Sequence, residues 1–205
     1  MPFQKLLILI SWITLSLSAA KELPTSLKEF PAQENLPDLF KFNDGSDVKS
    51  LEEWKKRRKE LVEPLMFYQY GSMPPRPDKI AYRIDKEKNH TSGIGKENWV
   101  TLIIGSKRKL EMRLVIYEPN TPGPHPVILE EEGSLVVSIN DLRFIKKNFI
   151  LIEYARHDLD PDRKNTAGPA QKAYPEHDWE TLAVWAWGGM RLVDYQETRA
   201  EDHMK

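Results

Sequence analysis

The stretch from residue 148 to residue 198 constrains the fold most, because a strand-like run is followed there by a helix-like run with almost no polar face. The run "NFILIEYA" (148–155) is apolar along almost its whole length, which is typical of a central strand covered on both faces. The run "DWETLAVWAWGGMRLVDYQET" (178–198) begins with Asp178 as a predicted N-cap and is apolar almost all round. Neither run is stable unless the rest of the chain covers it, so the sequence predicts helices packed on a sheet.

Earlier segments give the order of the elements. Three of them alternate apolar and polar residues with a period of two, namely "KIAYRIDKEK" (79–88), "NWVTLIIGS" (98–106) and "KLEMRLVIYEP" (109–119). A short apolar strand at 127–129 and a helix from about Ser138 to Asn148 follow them. Because strands that alternate with helices form crossover units, we predict an α/β fold with a mostly parallel sheet preceded by antiparallel strands.

The residues before position 79 are predicted to form an extended lead-in and one amphipathic helix. Ser50, with Glu53 three positions later, is a capping-box pattern, and apolar residues recur on one helical face from Leu51 to Leu65. The helix is expected to fray near Pro64, before a turn-rich connector at 70–79. We therefore divide the chain into a lead-in with its helix at 21–78 and an α/β-domain portion at 79–205.

The first twenty residues have the pattern of a secretory signal. Lys5 precedes an apolar stretch at 6–17, and Ser18 and Ala20 occupy the positions that a signal peptidase reads. The apolar stretch is too short to span a bilayer, although an N-terminal membrane anchor is the alternative. We predict a signal peptide at 1–20 and a secreted or periplasmic bacterial protein, with no membrane partner after cleavage.

Composition excludes several classes of function. The formal net charge of −1 gives no excess of Lys and Arg of the kind that nucleic-acid binding requires. The chain has no cysteine, so disulfide frameworks and thiolate chemistry are excluded.

Two loops are predicted to lie at the carboxyl ends of the parallel strands, where such sheets bind ligands. One is "EEEGS" (130–134), and the other is "YARHDLDPDRKN" (154–165). We predict a substrate-pocket rim built from residues of these loops and of the following helix: Gly133, Ser134, Arg156, Asp160, Asp162 and Trp179.

The aspartates at 158, 160 and 162 also match the first three ligands of a calcium loop. The next positions do not match, because Arg163 stands where that loop needs glycine and Pro169 stands where it needs a bidentate glutamate. We therefore predict no metal site and no cofactor. Asp158 and Asp162 are expected to hold the turn by accepting hydrogen bonds from neighbouring backbone N–H groups, or to pair with Arg156 or Arg163.

The tryptophans and glycines of the last helix have different predicted roles. Trp185 lies on the apolar stripe and is predicted to be core, whereas Trp179, at the helix start, is the candidate for stacking on a ligand. Gly188 and Gly189 are unfavourable inside a helix, so we expect them to mark a close approach of the helix to the sheet.

Three segments carry a family resemblance. "WKKRRKELVEPLMFYQYGSMP" (54–74), "NFILIEYARHDLDPD" (148–162) and "DWETLAVWAWGGMRLVDYQET" (178–198) resemble, in this order, segments of glucuronoyl esterases and their acetyl xylan esterase-like relatives. The resemblance implies an α/β-hydrolase that cleaves carbohydrate esters with a serine, a histidine and an acidic residue. It also implies that all three, and the arginine that supports the oxyanion, lie downstream of position 205.

The serines of this chain agree with that implication. A hydrolase of this fold places its nucleophile in a Gly-x-Ser-x-Gly turn, and the sequence contains no such pattern. No catalytic residue is therefore assigned, and the fold is expected to stop before the nucleophile turn. Where the relatives have an Asn- and Gly-rich stretch, this chain has "EEEGS", whose carboxylates would repel a glucuronate product although an intact ester is neutral. Simpler acyl esters, such as acetyl groups, therefore stay among the expected substrates.

The sequence thus predicts an N-terminal fragment of a secreted carbohydrate esterase, of the glucuronoyl methylesterase or acetyl xylan esterase type. The expected partner is a plant cell-wall polysaccharide or a small ester, and the fragment itself is expected to be inactive. A non-catalytic secreted carbohydrate-binding protein and a truncated gene product are the alternatives.

Overall fold

A five-stranded sheet forms the centre of the computed structural model, which describes residues 23, 25–29, 35–135, 141–164 and 166–203. The strands run in the spatial order β1-β2-β3-β5-β4. Their bounds are Ile80–Asn89 (β1), Gly95–Ile104 (β2), Leu110–Pro119 (β3), Val127–Glu132 (β4) and Ile150–Ala155 (β5).

The direction of the strands is mixed. The β1–β2, β2–β3 and β3–β5 pairs are antiparallel, and only β4 and β5 are parallel. The α/β class that the sequence predicts is confirmed, but within the described residues the sheet is mixed rather than mostly parallel. The physical reason is that a parallel pair needs a crossover connection, and β4–β5 is the pair that has one here.

The helices are α1 (Leu51–Leu65), α2 (Asp141–Ile145), α3 (Pro169–Ala173) and α4 (Thr181–His203). Ser50 caps α1 as predicted, since its Oγ accepts a hydrogen bond from the Glu53 backbone N–H at 3.1 Å. The Glu53 carboxylate accepts from the backbone N–H of Lys49. The chain does not fray at Pro64 but stays helical and continues as a π-helical turn at Met66–Tyr70.

The main core lies between the sheet and α4. Alternate residues of β2 and β3, such as Leu102 and Met112, are fully buried there together with Trp187 and Leu192 of α4. Trp185 is buried in the same cluster, so its predicted core position is confirmed. A smaller cluster on the opposite face packs beneath α2.

The surroundings of Gly188 show why α4 contains glycine at this position. A Cβ atom at this position would lie 2.5 Å from Leu159 Cδ1 and 3.3 Å from Met112 Sδ. The helix backbone therefore lies close against Leu159 and against Met112 of the sheet, and the predicted close approach is confirmed.

The outer face of α4 carries apolar side chains as well. Leu182, Met190 and Val193 are 57%, 49% and 50% exposed. Val127 and Leu129 are also exposed on β4, which pairs only with β5 among the described strands. A helix with two apolar faces is normally covered on both.

Two sequence-based predictions are not tested by the structure. The predicted signal peptide at 1–20 lies outside the described residues, and the division at position 79 remains a prediction. In the part of the chain that the structure describes, no helix combines the length and apolar character needed to cross a membrane.

The exposed apolar stripe of α4 predicts self-association of the purified polypeptide. We expect Leu182→Gln with Met190→Gln to shift the protein toward the monomer in sedimentation velocity, because the pair removes the centre of the stripe. Leu51→Gln is the matched control, since Leu51 is exposed on α1, and should change nothing. A wild-type chain that is already monomeric and melts cooperatively would contradict the prediction.

Candidate active-site mouth

Two loops meet where the parallel strands end. Glu132 of β4 pairs with Ala155 of β5, so Gly133 and Arg156 leave the sheet side by side. The His157 ring lies against Gly133, since a Cβ there would be 2.9 Å from His157 Cε1. The structure therefore brings Gly133, its exposed neighbour Ser134 and Arg156 together, as the sequence predicts for residues beyond two parallel strand ends.

Asp160 fixes the second loop to α4. It is 1% exposed, and its Oδ1 accepts a hydrogen bond from the Asp162 backbone N–H at 2.9 Å. Its Oδ2 accepts from Thr181 Oγ1 at 3.2 Å, and its backbone carbonyl accepts from Trp185 Nε1 at 3.1 Å. A buried carboxylate needs such partners, so Asp160 is a structural anchor between β5 and the start of α4.

Asp162 lies at the exposed end of this turn. Its φ of 52° is in the left-handed region, where aspartate and asparagine are tolerated better than most residues. In this turn the carboxylate that accepts a backbone N–H is that of Asp160, and Asp162 is the donor, so the predicted acceptor role of Asp162 is corrected.

Asp158 binds a residue that the sequence did not suggest. Its carboxylate accepts hydrogen bonds from Nε and Nη2 of Arg113 at 2.8 and 2.6 Å, and from the Arg113 backbone N–H at 3.0 Å. The expected partners, Arg156 and Arg163, are not involved. Pairing between β3 and β5 begins only at Leu114, so Asp158 takes the β3 N–H that β5 leaves free. The side-chain hydrogen bonding to the Asp158 carboxylate also raises the pKa of Arg113.

The three aspartates thus have three separate tasks, and they do not converge on a common point. Among the described residues, the carboxylates that do converge are Glu130, Glu132 and Glu153, whose oxygens lie within 4.8 Å of one another. The side chains of Asp158 and Asp160 thus serve separate contacts in this geometry, and the absence of a calcium site stays a prediction.

The glutamates of "EEEGS" divide between the two faces of the sheet. Side chains alternate along a strand, so Glu130 and Glu132 lie with Glu153 on the face that α2 covers. Glu131 lies on the α4 side, with Oε1 4.0 Å from Nη1 of Arg156. The expected repulsion of a uronate by three carboxylates is therefore reduced to one glutamate beside an arginine. The period of two in β4 was the signal that could have shown this from the sequence.

The guanidinium of Arg156 stacks on the ring of Trp185, a core residue. Its Cζ lies 4.4 Å from the centroid of the Trp185 ring, a cation–π distance. Trp185 is held in place at two points, because its Nε1 donates to the backbone carbonyl of Asp160 and its own backbone carbonyl accepts from the Tyr154 hydroxyl at 3.0 Å. Burial raises the pKa of Tyr154 to about 12, so this hydroxyl keeps its proton.

Trp179 is not available for stacking on a ligand. It is 2% exposed and packs edge-to-face against Trp187, with ring centroids 5.5 Å apart. The connector after α1 covers it, because Gly71 lies so close to Asp178 that a Cβ would be 2.2 Å from the Asp178 carbonyl oxygen. The predicted ligand-stacking role is therefore corrected to a core position.

Asp178 does not cap α4, which begins at Thr181. Its Oδ1 instead accepts from the backbone N–H and the hydroxyl of Ser72, at 2.7 and 2.6 Å. These hydrogen bonds lower the pKa of Asp178. A cavity of about 720 Å³ lies next to this junction, and Asp162, Gln171, His177 and Thr181 are among its lining residues.

Comparison with known proteins supports the resemblance. No protein-family model matches the chain. The chain is 26% identical over 171 residues to a 4-O-methyl-glucuronoyl methylesterase of Podospora anserina, covering 82% of this chain and 33% of that protein.

Solved structures show the same fold. A glucuronoyl esterase from Solibacter usitatus superimposes with a TM-score of 0.68 at 20% identity, over 83% of this chain and 55% of that one. A glucuronoyl esterase mutant from Sporotrichum thermophile, in complex with methyl 4-O-methyl-β-D-glucopyranuronate, gives 0.56 at 24% identity, over 78% and 40%. The predicted resemblance to glucuronoyl esterases and the α/β-hydrolase fold are confirmed. This chain spans between a third and just over half of the lengths of these proteins.

The anchoring role of Asp160 predicts a graded set of stabilities. Asp160→Ala should lower the free energy of unfolding by about 2 kcal/mol or more, because both side-chain hydrogen bonds are lost at a buried site. Asp160→Asn should cost less, since an amide can still accept from Asp162 and donate to Thr181. Asp162→Asn, at the exposed left-handed position, is the matched control and should be nearly neutral. Urea unfolding followed by circular dichroism measures the series.

Added calcium tests the alternative interpretation of the same residues, which is a metal-binding loop. Neither added calcium nor a chelator should change the melting temperature of the wild-type protein. A chelator-induced loss that calcium alone restores, together with equal losses in the Asp160 and Asp162 variants, would contradict the anchoring role.

Proposed function

We propose that the chain is part of a secreted or periplasmic carbohydrate esterase of the glucuronoyl esterase type, from a bacterium. The observation that carries the proposal is the resemblance to a 4-O-methyl-glucuronoyl methylesterase over 82% of the chain, on an α/β-hydrolase fold. The reaction is hydrolysis of a glucuronate ester, by serine attack, a covalent acyl-enzyme and an oxyanion site. The expected substrate is an ester on a plant cell-wall polysaccharide, or a small ester of the same kind.

The part of that site which this chain contributes is the mouth. Ligands of open α/β sheets bind beyond the carboxyl ends of parallel strands, and the loops after β4 and β5 occupy that place. Gly133 and Ser134 form one side of the mouth, and the loop that Asp160 anchors forms the other. Asp160 and Asp162 act by shaping this rim, not by touching the reacting atoms.

The charge distribution of the mouth is compatible with a glucuronate ester and its charged product. Two of the three glutamates that argued against a uronate lie on the opposite face of the sheet with Glu153. The remaining one, Glu131, is balanced by Arg156.

The chemical step requires groups that these 205 residues do not supply. None of the serines occupies a Gly-x-Ser-x-Gly turn, and we therefore propose that the polypeptide is inactive by itself. Loss of a nucleophile and its base removes most of the rate enhancement of a serine hydrolase.

We expect the 205-residue polypeptide to release no methanol from a methyl glucuronate ester and no phenol from an aryl acetate above the buffer blank. The assay should include Ser134→Ala, because Ser134 lies in the turn between β4 and α2 and is the first alternative nucleophile to exclude. Turnover that survives repurification and disappears in Ser134→Ala would contradict the predicted inactivity.

The esterase assignment itself is tested on the complete reading frame of the gene. A product that includes a Gly-x-Ser-x-Gly turn should hydrolyse the methyl glucuronate ester, and replacing its serine by alanine should abolish this activity. A reading frame that stops after codon 205, or a longer product without esterase activity, would contradict the assignment.

A further inference from the structure

The turn between β1 and β2 carries a pattern that the esterase assignment does not use. Asn89 is followed by His90 and Thr91, and Asn-x-Thr, in which x is not proline, is the acceptor pattern of N-glycosylation. The chain has eight asparagines, and only this one has a serine or threonine two positions later. Because such triplets also occur by chance, the conformation around Asn89 decides whether the site is usable.

The exposure of the side chains alternates from residue 87 to residue 91. Glu87, Asn89 and Thr91 are exposed, whereas Lys88 is half-buried and His90 is 7% exposed. Asn89 and Thr91 are the two residues that every oligosaccharyltransferase reads. Bacterial transferases read, in addition, a carboxylate two positions before the asparagine, and Glu87 provides it. All three recognised side chains therefore face solvent.

The two intervening residues fix the turn from its inner side. The His90 ring lies edge-on against the Tyr117 ring, with centroids 6.2 Å apart, and its backbone N–H donates to the Gly95 carbonyl at 2.8 Å. Lys88 Nζ lies 2.8 Å from Oε1 of the buried Glu97. The contacts that hold the turn thus come from residues that a transferase does not read.

The backbone of Asn89 faces the open edge of the sheet. β1 is the outer strand of the described sheet, and Asn89 pairs there with Lys96. Hydrogen-bonded and non-hydrogen-bonded pairs alternate along an antiparallel ladder, and the next pair, His90 with Gly95, is hydrogen-bonded. The N–H and C=O of Asn89 therefore point away from β2. A polar cavity of about 300 Å³, lined in part by Glu87 and Asn89, gives further space beside the side chain.

The turn is remote from the active-site mouth. Gly95 pairs with Pro119 at the carboxyl end of β3, whereas the carboxyl end of β5 lies beside Leu114. The stretch of β3 from Leu114 to Pro119 spans about 17 Å at the usual rise per residue. β2 and β3 also lie between β1 and β5. An oligosaccharide on Asn89 leaves the mouth open and covers a strand edge that is otherwise exposed to pairing with other chains.

We propose that Asn89 is a site of N-glycosylation, used when the chain crosses a membrane that holds an oligosaccharyltransferase. The co-substrate is an oligosaccharide on a lipid diphosphate. A bond forms between Asn89 Nδ2 and C1 of the first sugar, and the bond between C1 and the diphosphate oxygen breaks. The lipid diphosphate leaves with the electron pair, and one proton passes from Nδ2 to a base of the transferase. The inference rests on the proposed secretion and not on the ester chemistry.

Expression of the 205-residue chain behind a leader that the host exports, in a bacterium with an oligosaccharyltransferase, tests the site. The intact mass should increase by that of one oligosaccharide, and the increase should lie on peptide 88–97, which cleavage after glutamate releases. An isogenic host without the transferase should give no increase.

Three positions should respond differently to substitution. Asn89→Gln and Thr91→Ala should abolish the added mass, whereas Thr91→Ser should keep it because the hydroxyl remains. Glu87→Gln should abolish the added mass in the bacterial host. In a eukaryotic secretory host Glu87→Gln should have no effect, because the transferase there reads only Asn-x-Thr.

Asn120→Gln is the matched control, since Asn120 is an exposed asparagine in the next turn and is followed by Thr121 and Pro122. It should leave the added mass unchanged, and circular dichroism should show that each variant is folded. The proposal is overturned if the exported wild-type chain gains no mass in the transferase host. It is equally overturned if Thr91→Ala is modified as fully as the wild type, or if the added mass lies on another peptide.

The glycosylation result and the esterase assignment can fail separately. A glycan on Asn89 of a gene product without esterase activity supports the modification site and rejects the enzyme. Esterase activity in a product that is exported without added mass supports the enzyme and rejects the modification site.

Discussion

The buried carboxylate of Asp160 is the contact on which the rest of the mouth depends. Through its side chain and its carbonyl it binds Asp162, Thr181 and Trp185, so one residue joins the end of β5 to the first turns of α4. Leaving such a group without partners in the core is unfavourable, and the surrounding chain is shaped around it. Gly168 shows how closely, because a Cβ there would lie 2.6 Å from Asp160 Cα.

The anchor has consequences along the loop in both directions. Leu159, next to Asp160, is fully buried where Gly188 lets α4 approach the sheet. Asp158 extends the hydrogen bonding of β3 beyond the point where β5 turns away. Arg156 is thereby held on the Trp185 ring at the surface. A run of alternating aspartates that resembles a metal loop thus acts as a set of separate structural contacts.

Local periodicity predicted the parts of the fold that depend on neighbouring residues. The alternation in β2 and β3, the cap at Ser50 and the close approach at Gly188 are all present. The direction of the strands was not accessible in the same way, because it depends on which connections cross over the sheet. The signal peptide at 1–20 and the domain division remain predictions.

The site was predictable only in part, for a similar reason. The predicted strand ends identified Gly133 and Arg156 as rim residues. They could not identify the partner of Asp158, because that partner is Arg113, 45 positions away. Trp179 looked accessible because nothing local covers a residue at a helix start, whereas the connector at Gly71 lies over it. Contacts of this range leave no periodic signal in a sequence. The faces of Glu130, Glu131 and Glu132, in contrast, followed from strand alternation alone.

The indole N–H resonance of Trp185 reports most directly on whether Asp160 anchors the loop after β5 to α4. This N–H donates to the Asp160 carbonyl, and the ring beneath it carries Arg156. Asp160→Ala should shift this resonance and speed the exchange of the N–H with solvent, because the turn that holds its carbonyl acceptor is lost, whereas Asp162→Asn should leave both unchanged. An unchanged resonance in Asp160→Ala, or an equal change in Asp162→Asn, would contradict the anchoring role of Asp160.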